Sequence, residues 1–64
     1  MNTNQAYETL TAIAADLGVA VRLDRDEDAP LLFAAWCDED IIGAGDTEHE
    51  AIVEACATLR GWQS

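Results

Sequence analysis

Ile41-Ile42-Gly43-Ala44-Gly45-Asp46-Thr47-Glu48-His49-Glu50-Ala51-Ile52-Val53-Glu54-Ala55-Cys56-Ala57-Thr58-Leu59 is the stretch that decides the fold. It reads as a short apolar strand, a glycine-bearing exit and a capped helix. Thr47 is placed to accept the first helical hydrogen bond. Glu50, three residues on, is placed to reach back and close a capping box. Beyond it Ala51, Ile52, Ala55, Cys56 and Leu59 recur at helical spacing and make one apolar stripe. A strand feeding directly into such a helix needs further elements to cover the stripe and to extend the sheet.

The residues before it supply them. Residues 5 to 17 have the pattern of an amphipathic helix, with Ala6, Leu10, Ile13, Ala14 and Leu17 on one face and Tyr7 at its edge. Asn4 or Thr3 is the expected N-cap, and Gly18 fits the left-handed position just past the end. Val19 to Asp24 alternates with period two, pointing Val19, Val21 and Leu23 inward. After the polar segment from Arg25 to Pro30, Leu31 to Cys37 reads as a central strand with Phe33 and Trp36 on opposite faces. Asp38-Glu39-Asp40 is the next turn, and Ile41 to Ala44 the third strand. The second helix is expected to end near Arg60, where Gly61 breaks it and Trp62 folds back over the core edge.

The expected fold class is therefore α+β, a single small domain over residues 1–64 in the order α-β-β-β-α. Short strand connections make the sheet an antiparallel meander. Packing of both helices on one face would leave Ala20, Arg22, Leu32, Ala34 and Trp36 on the other. An aromatic ring of that size in water usually marks an interface.

Thirteen carboxylates against three arginines and no lysine give a formal net charge of −10 in 64 residues. Such a field repels nucleic-acid phosphates and anionic membranes and attracts cationic protein surfaces. A meander brings the first hairpin loop and the exit of the third strand to the same end of the sheet. Asp24, Asp26, Glu27 and Asp28 should therefore meet Asp46, Glu48 and Glu50 there, with Asp38, Glu39 and Asp40 at the opposite end. Solubility alone accounts for acids in loops, and helix N-termini favour them. Seven at one edge, however, repel each other, and a basic partner relieves that repulsion. No apolar run approaches the roughly 20 residues of a membrane span. The first residues lack the basic and apolar regions of a signal peptide, so a cytoplasmic protein is expected.

Motifs for chemistry fail on inspection. Asp24 to Asp28 has the alternate-acid rhythm of a calcium loop, but Ala29 and Ala35 stand where the loop needs its glycine and its bidentate acid. Gly43-Ala44-Gly45 before a helix lacks the third glycine of a dinucleotide turn, which is Glu48 here. His49, the one histidine, sits between two glutamates and reads as a solvent-facing helix residue. Cys37 and Cys56 read as small apolar core residues. No enzyme, cofactor or metal is expected.

The segment Gly43-Ala44-Gly45-Asp46-Thr47-Glu48-His49-Glu50-Ala51-Ile52, continuing through Ala57, resembles a family of small phage and prophage proteins with an ABA-sandwich domain. There an aromatic-rich sheet leads into Gly-x-Thr-x-x-Glu-Ala-Ile and an alanine- and cysteine-bearing helix. The leading helix and the strand with Trp36 are similar too, so the resemblance spans nearly the whole chain. Residues 43 to 59 also resemble the HicB-type antitoxin domain, from which the leading helix departs. The element order is similar to that of the double-stranded-RNA-binding domain, which needs basic residues where this chain has Glu48, Glu50 and Glu54. The phage resemblance implies an inhibitor of a host defence complex, acting in the host cytoplasm as anti-CRISPR proteins do. Its carboxylates would stand in for nucleic-acid phosphates on a basic protein surface. The antitoxin resemblance implies a homodimeric or structural module binding through the apolar sheet face around Trp36.

Overall fold

A computed structural model describes residues 2–25 and 33–63. Its order is α1 (Thr3–Leu17), β1 (Val21–Arg25), β2 (Phe33–Cys37), β3 (Asp40–Gly45) and α2 (Glu48–Gln63). The three strands form one antiparallel sheet in the order β1-β2-β3, as the sequence pattern predicts. All five residues of the α2 stripe are buried: Ala51, Ile52, Ala55, Cys56 and Leu59. They share one core with Ala6, Leu10 and Ala14 of α1 and with Ala35, Cys37 and Ile42 of the sheet. The helices touch each other, and the Cys56 thiol lies 3.8 Å from the Ala6 carbonyl oxygen. Both helices thus lie on one face. On the other face, Arg22 and Asp24 are exposed, and Ala34 and Trp36 are half-buried.

β3 departs from simple alternation. Phe33 faces Gly45, Ala34 faces Ala44 and Ala35 faces Gly43, and the register then slips so that Trp36 faces Ile41 and Cys37 faces Asp40. Ile42 is the extra residue of this bulge. A bulge re-aims side chains locally, and here Ile42 turns into the core while Ile41 stays on the open face, 58% exposed.

Gly43 sets how closely α2 can lie on the sheet. A Cβ there would stand 2.5 Å from both the Ala51 carbonyl oxygen and the Ala55 amide nitrogen. The contact is backbone against backbone, with nothing flexible to yield. Gly45 faces the same helix, where its Cβ would meet the Glu50 Cβ at 2.5 Å.

The ends of the helices differ in part from expectation. Asn2, not Asn4 or Thr3, caps α1: its side chain accepts from the Gln5 N–H at 2.8 Å, and the Gln5 side chain accepts from the Asn2 N–H at 3.2 Å. This reciprocal pair satisfies two otherwise unpaired donors, which is why the helix starts earlier. Gly18 takes φ +74°, with its N–H donating to Ala15 and that of Val19 to Ala14, a Schellman end. In α2, Thr47 accepts from the Glu50 N–H at 3.1 Å as expected. The Glu50 carboxylate, however, reaches the N–H of Asp46 at 3.3 Å rather than that of Thr47. α2 does not stop at Arg60. Gly61 is tolerated within the helix at a cost of about 1 kcal/mol, and the added turn lets Gln63 Nε2 donate to Asp16 Oδ2 of α1 at 3.0 Å. Trp62 consequently sits on the helix surface, 48% exposed, rather than folding over the core.

Two glycine substitutions separate these roles. Gly43→Ala should lower unfolding stability by roughly 1–3 kcal/mol through overpacking. Gly61→Ala, whose added methyl meets nothing within 4 Å, should raise it by up to about 1 kcal/mol. Urea midpoints compare the two, and equal midpoints would refute the close-contact account of Gly43. Ile52→Ala, at a fully buried position, should cost roughly 2–5 kcal/mol, and a melting temperature like that of the parent would show that the helix stripe is misread.

Candidate functional site

The register fixes which acids can share an end of the sheet. Arg25 faces Phe33, and Phe33 faces Gly45. The exit of β1 and the exit of β3 therefore lie at the same end of the sheet, on either side of the start of β2. Asp24, one position inside β1, and Asp46, Glu48 and Glu50, around the start of α2, are all exposed at this end. Asp26, Glu27 and Asp28 lie outside the described residues. Asp38 and Glu39 turn the chain at the opposite end, where Asp40 begins β3.

The four described acids are not equivalent. Asp24 is already engaged, its Oδ2 accepting from Arg22 Nε at 2.9 Å in an exposed ion pair. Glu50 braces the start of α2 through the Asp46 N–H. Among the described residues, Asp46 and Glu48 hold no structural bond of that kind with their carboxylates, and both are exposed. Glu48 and Glu50 also occupy the first turn of α2, where the positive end of the helix dipole favours negative charge.

Trp36 has a setting that sequence reading missed. It lies between Arg22 and Ile41 in one row across the open face. The Arg22 guanidinium stacks over the ring, 5.3 Å from its centroid, while another of its nitrogens donates to the Asp38 carbonyl oxygen at 3.1 Å. Arg22 thus clamps the ring, the neighbouring Asp24 and the β2–β3 turn together. The signal was present in the sequence: Arg22 and Asp24 are two apart on a strand, hence on one face. The clamp also holds the turn where Asp38 takes φ +56°, a left-handed conformation that aspartate tolerates better than most residues.

The remaining chemistry-bearing groups serve the core or the surface. His49 is half-buried rather than fully solvent-facing. Among the described residues, no group of three or more His, Cys, Asp or Glu side chains is arranged to hold a metal ion, and no helix is long and apolar enough to cross a membrane. Cys37 and Cys56 are buried free thiols. Burial pushes both above the ordinary thiol value, reinforced at Cys37 by the charges of Asp38 and Asp40 and opposed at Cys56 by Arg60.

A raised thiol pKa means that the folded state keeps a proton that the unfolded chain loses. Its stabilising contribution is complete below the unfolded value and is lost as pH rises through the folded one. Stability should therefore fall as pH climbs past 9.0, the unperturbed thiol value. Replacing both cysteines with alanine should flatten that alkaline slope, as read from urea midpoints across a pH series. An unchanged slope would remove the thiols from the account.

No family model matches the chain, and no curated protein or solved structure matches it.

Proposed function

We propose that the protein is a non-catalytic binding module that docks its acidic end onto a cationic protein surface, one that otherwise binds nucleic acid. The observation that carries this reading is that β1 and β3 leave the sheet at the same end, flanking the start of β2. That geometry gathers Asp24, Asp46, Glu48 and Glu50 at one end, and three more acids follow β1 in the sequence. Carboxylates there would occupy arginine and lysine side chains in place of phosphates, and the net charge of −10 would steer the encounter. An inhibitor of a host defence complex, of the anti-CRISPR kind, is the most specific form of this reading, and the phage-family resemblance favours it. The mechanism is occlusion. It requires no cofactor and no bond-making step.

A second reading, an antitoxin-like or structural homodimer built on the sheet face, draws on the exposure of Ile41 beside Trp36. The Arg22 stack over Trp36 weighs against it, since the cation already covers part of the ring.

The acidic-end reading is tested by competition. A basic nucleic-acid-binding complex captured from a bacterial lysate at low salt should release the chain at high salt and should lose nucleic acid as the chain is added. Replacing Asp46 and Glu48, or Asp26, Glu27 and Asp28, with their amides should weaken capture about tenfold or more and reduce its salt dependence. Glu50 is left intact because it braces α2. Capture indifferent to salt and to these changes would overturn the reading.

A further inference from the structure

Among the described residues, part of the core is incompletely covered. Ile13, Leu17, Val19, Val21 and Leu23 pack against it yet remain partly open. All five lie in the second half of α1, in the link that follows, or in β1. Among the described residues, β1 is also an edge strand, paired with β2 along one side. Such an edge presents backbone N–H and C=O groups that another strand can pair with.

We propose that a second copy of this chain covers this edge, with β1 pairing antiparallel to its counterpart about Leu23. The charge sequence of the strand selects both the occupant and the register. β1 reads Val21-Arg22-Leu23-Asp24-Arg25. In a two-fold pairing centred on Leu23, Arg22 of each copy faces Asp24 of the other. Centring on Arg22 or on Asp24 would set like charges face to face, which destabilises a strand pair. Centring between residues would put an open-face side chain opposite a core-face one and throw the two helix layers to opposite sides. Only the Leu23 centre pairs unlike charges and keeps both helix layers on one side of a continuous sheet. It is isologous, as a two-fold dimer requires.

Charged edge strands usually discourage pairing. This one discourages strands of other sequence while complementing its own, so the charges act as a specificity filter. The Arg22 and Asp24 side chains are 56% and 54% exposed and bonded to each other, so each can share its partner across the seam. Val21 and Leu23, on the core face of β1, would lose exposure at the seam. Two copies each carrying −10 repel at long range, so added salt should strengthen this dimer. Docking of the acidic end has the opposite salt dependence, so failure of one inference is distinguishable from failure of the other.

The test is sedimentation equilibrium over a concentration series at low and high salt. A dimer that tightens with salt is expected. Asp24→Arg or Arg22→Asp alone should weaken it about tenfold or more, and the double exchange R22D/D24R should restore it, with circular dichroism confirming that each variant folds. As a measurement on the unaltered chain, exchange of the β1 backbone amides should slow as the protein is concentrated. A monomer throughout the series, single reversals without effect, a double exchange that fails to recover, or β1 amides indifferent to concentration would each overturn the proposal.

Discussion

The closest constraint in the molecule is the seat of α2 on Gly43. Close-packed interiors transmit such contacts rigidly, and here the contact is between the backbones of a strand and a helix. Ala51 and Ala55, both fully buried, are small for the same reason that residue 43 has no side chain. With α2 fixed on β3, Ile52, Cys56 and Leu59 define the volume that α1 and the rest of the sheet must fill. The bulge serves the same arrangement. With strict alternation from Gly43, Ile42 would turn to the open face and Ile41 inward, so the bulge decides which of the two isoleucines fills the core. A chain of this size has a thin core, so the placement of a single isoleucine matters.

Charge is arranged around that core rather than within it, since no polar or charged side chain is buried among the described residues. The acidic surface therefore contributes little to the specification of the fold. The Arg22 clamp is the exception, because it links strand, aromatic ring and turn on the face away from the helices. An exposed ion pair on its own stabilises little. Here one guanidinium also stacks and donates to a carbonyl, so several weak interactions share the entropy of fixing a single side chain.

The element order, the meander and the α2 stripe were legible because they rest on local periodicity and on glycine and cap positions. Thr47 and Glu50 were legible for the same reason, although the Glu50 carboxylate found the Asp46 N–H instead. The bulge was not legible, since Ile41 and Ile42 are identical in type and only the pairing shows which one turns inward. The end of α2 was misread because a helix-breaking glycine is a bias of about 1 kcal/mol, small enough for one more turn and its Gln63–Asp16 bond to offset. Of the candidate site, the topology that puts Asp24 at the same end of the sheet as Asp46 and Glu48 followed from short connections alone. The division of those acids into engaged and available ones did not, because it depends on side-chain geometry that spacing does not encode.

The contact of Gly43 with Ala51 and Ala55 joins residues only eight and twelve positions apart, whereas Cys56 meets Ala6 across fifty. Closing a short loop costs less chain entropy than closing a long one. β3 and α2 are thus the pair that can form first on the folding route, with α1 docking onto a surface already made. On that order of events, a bulky residue at position 43 slows folding itself, while loosening the Ala6–Cys56 contact mainly hastens unfolding. Stopped-flow refolding of variants at the two places would tell these kinetic roles apart, and equal effects on both rates would contradict the sequence of assembly.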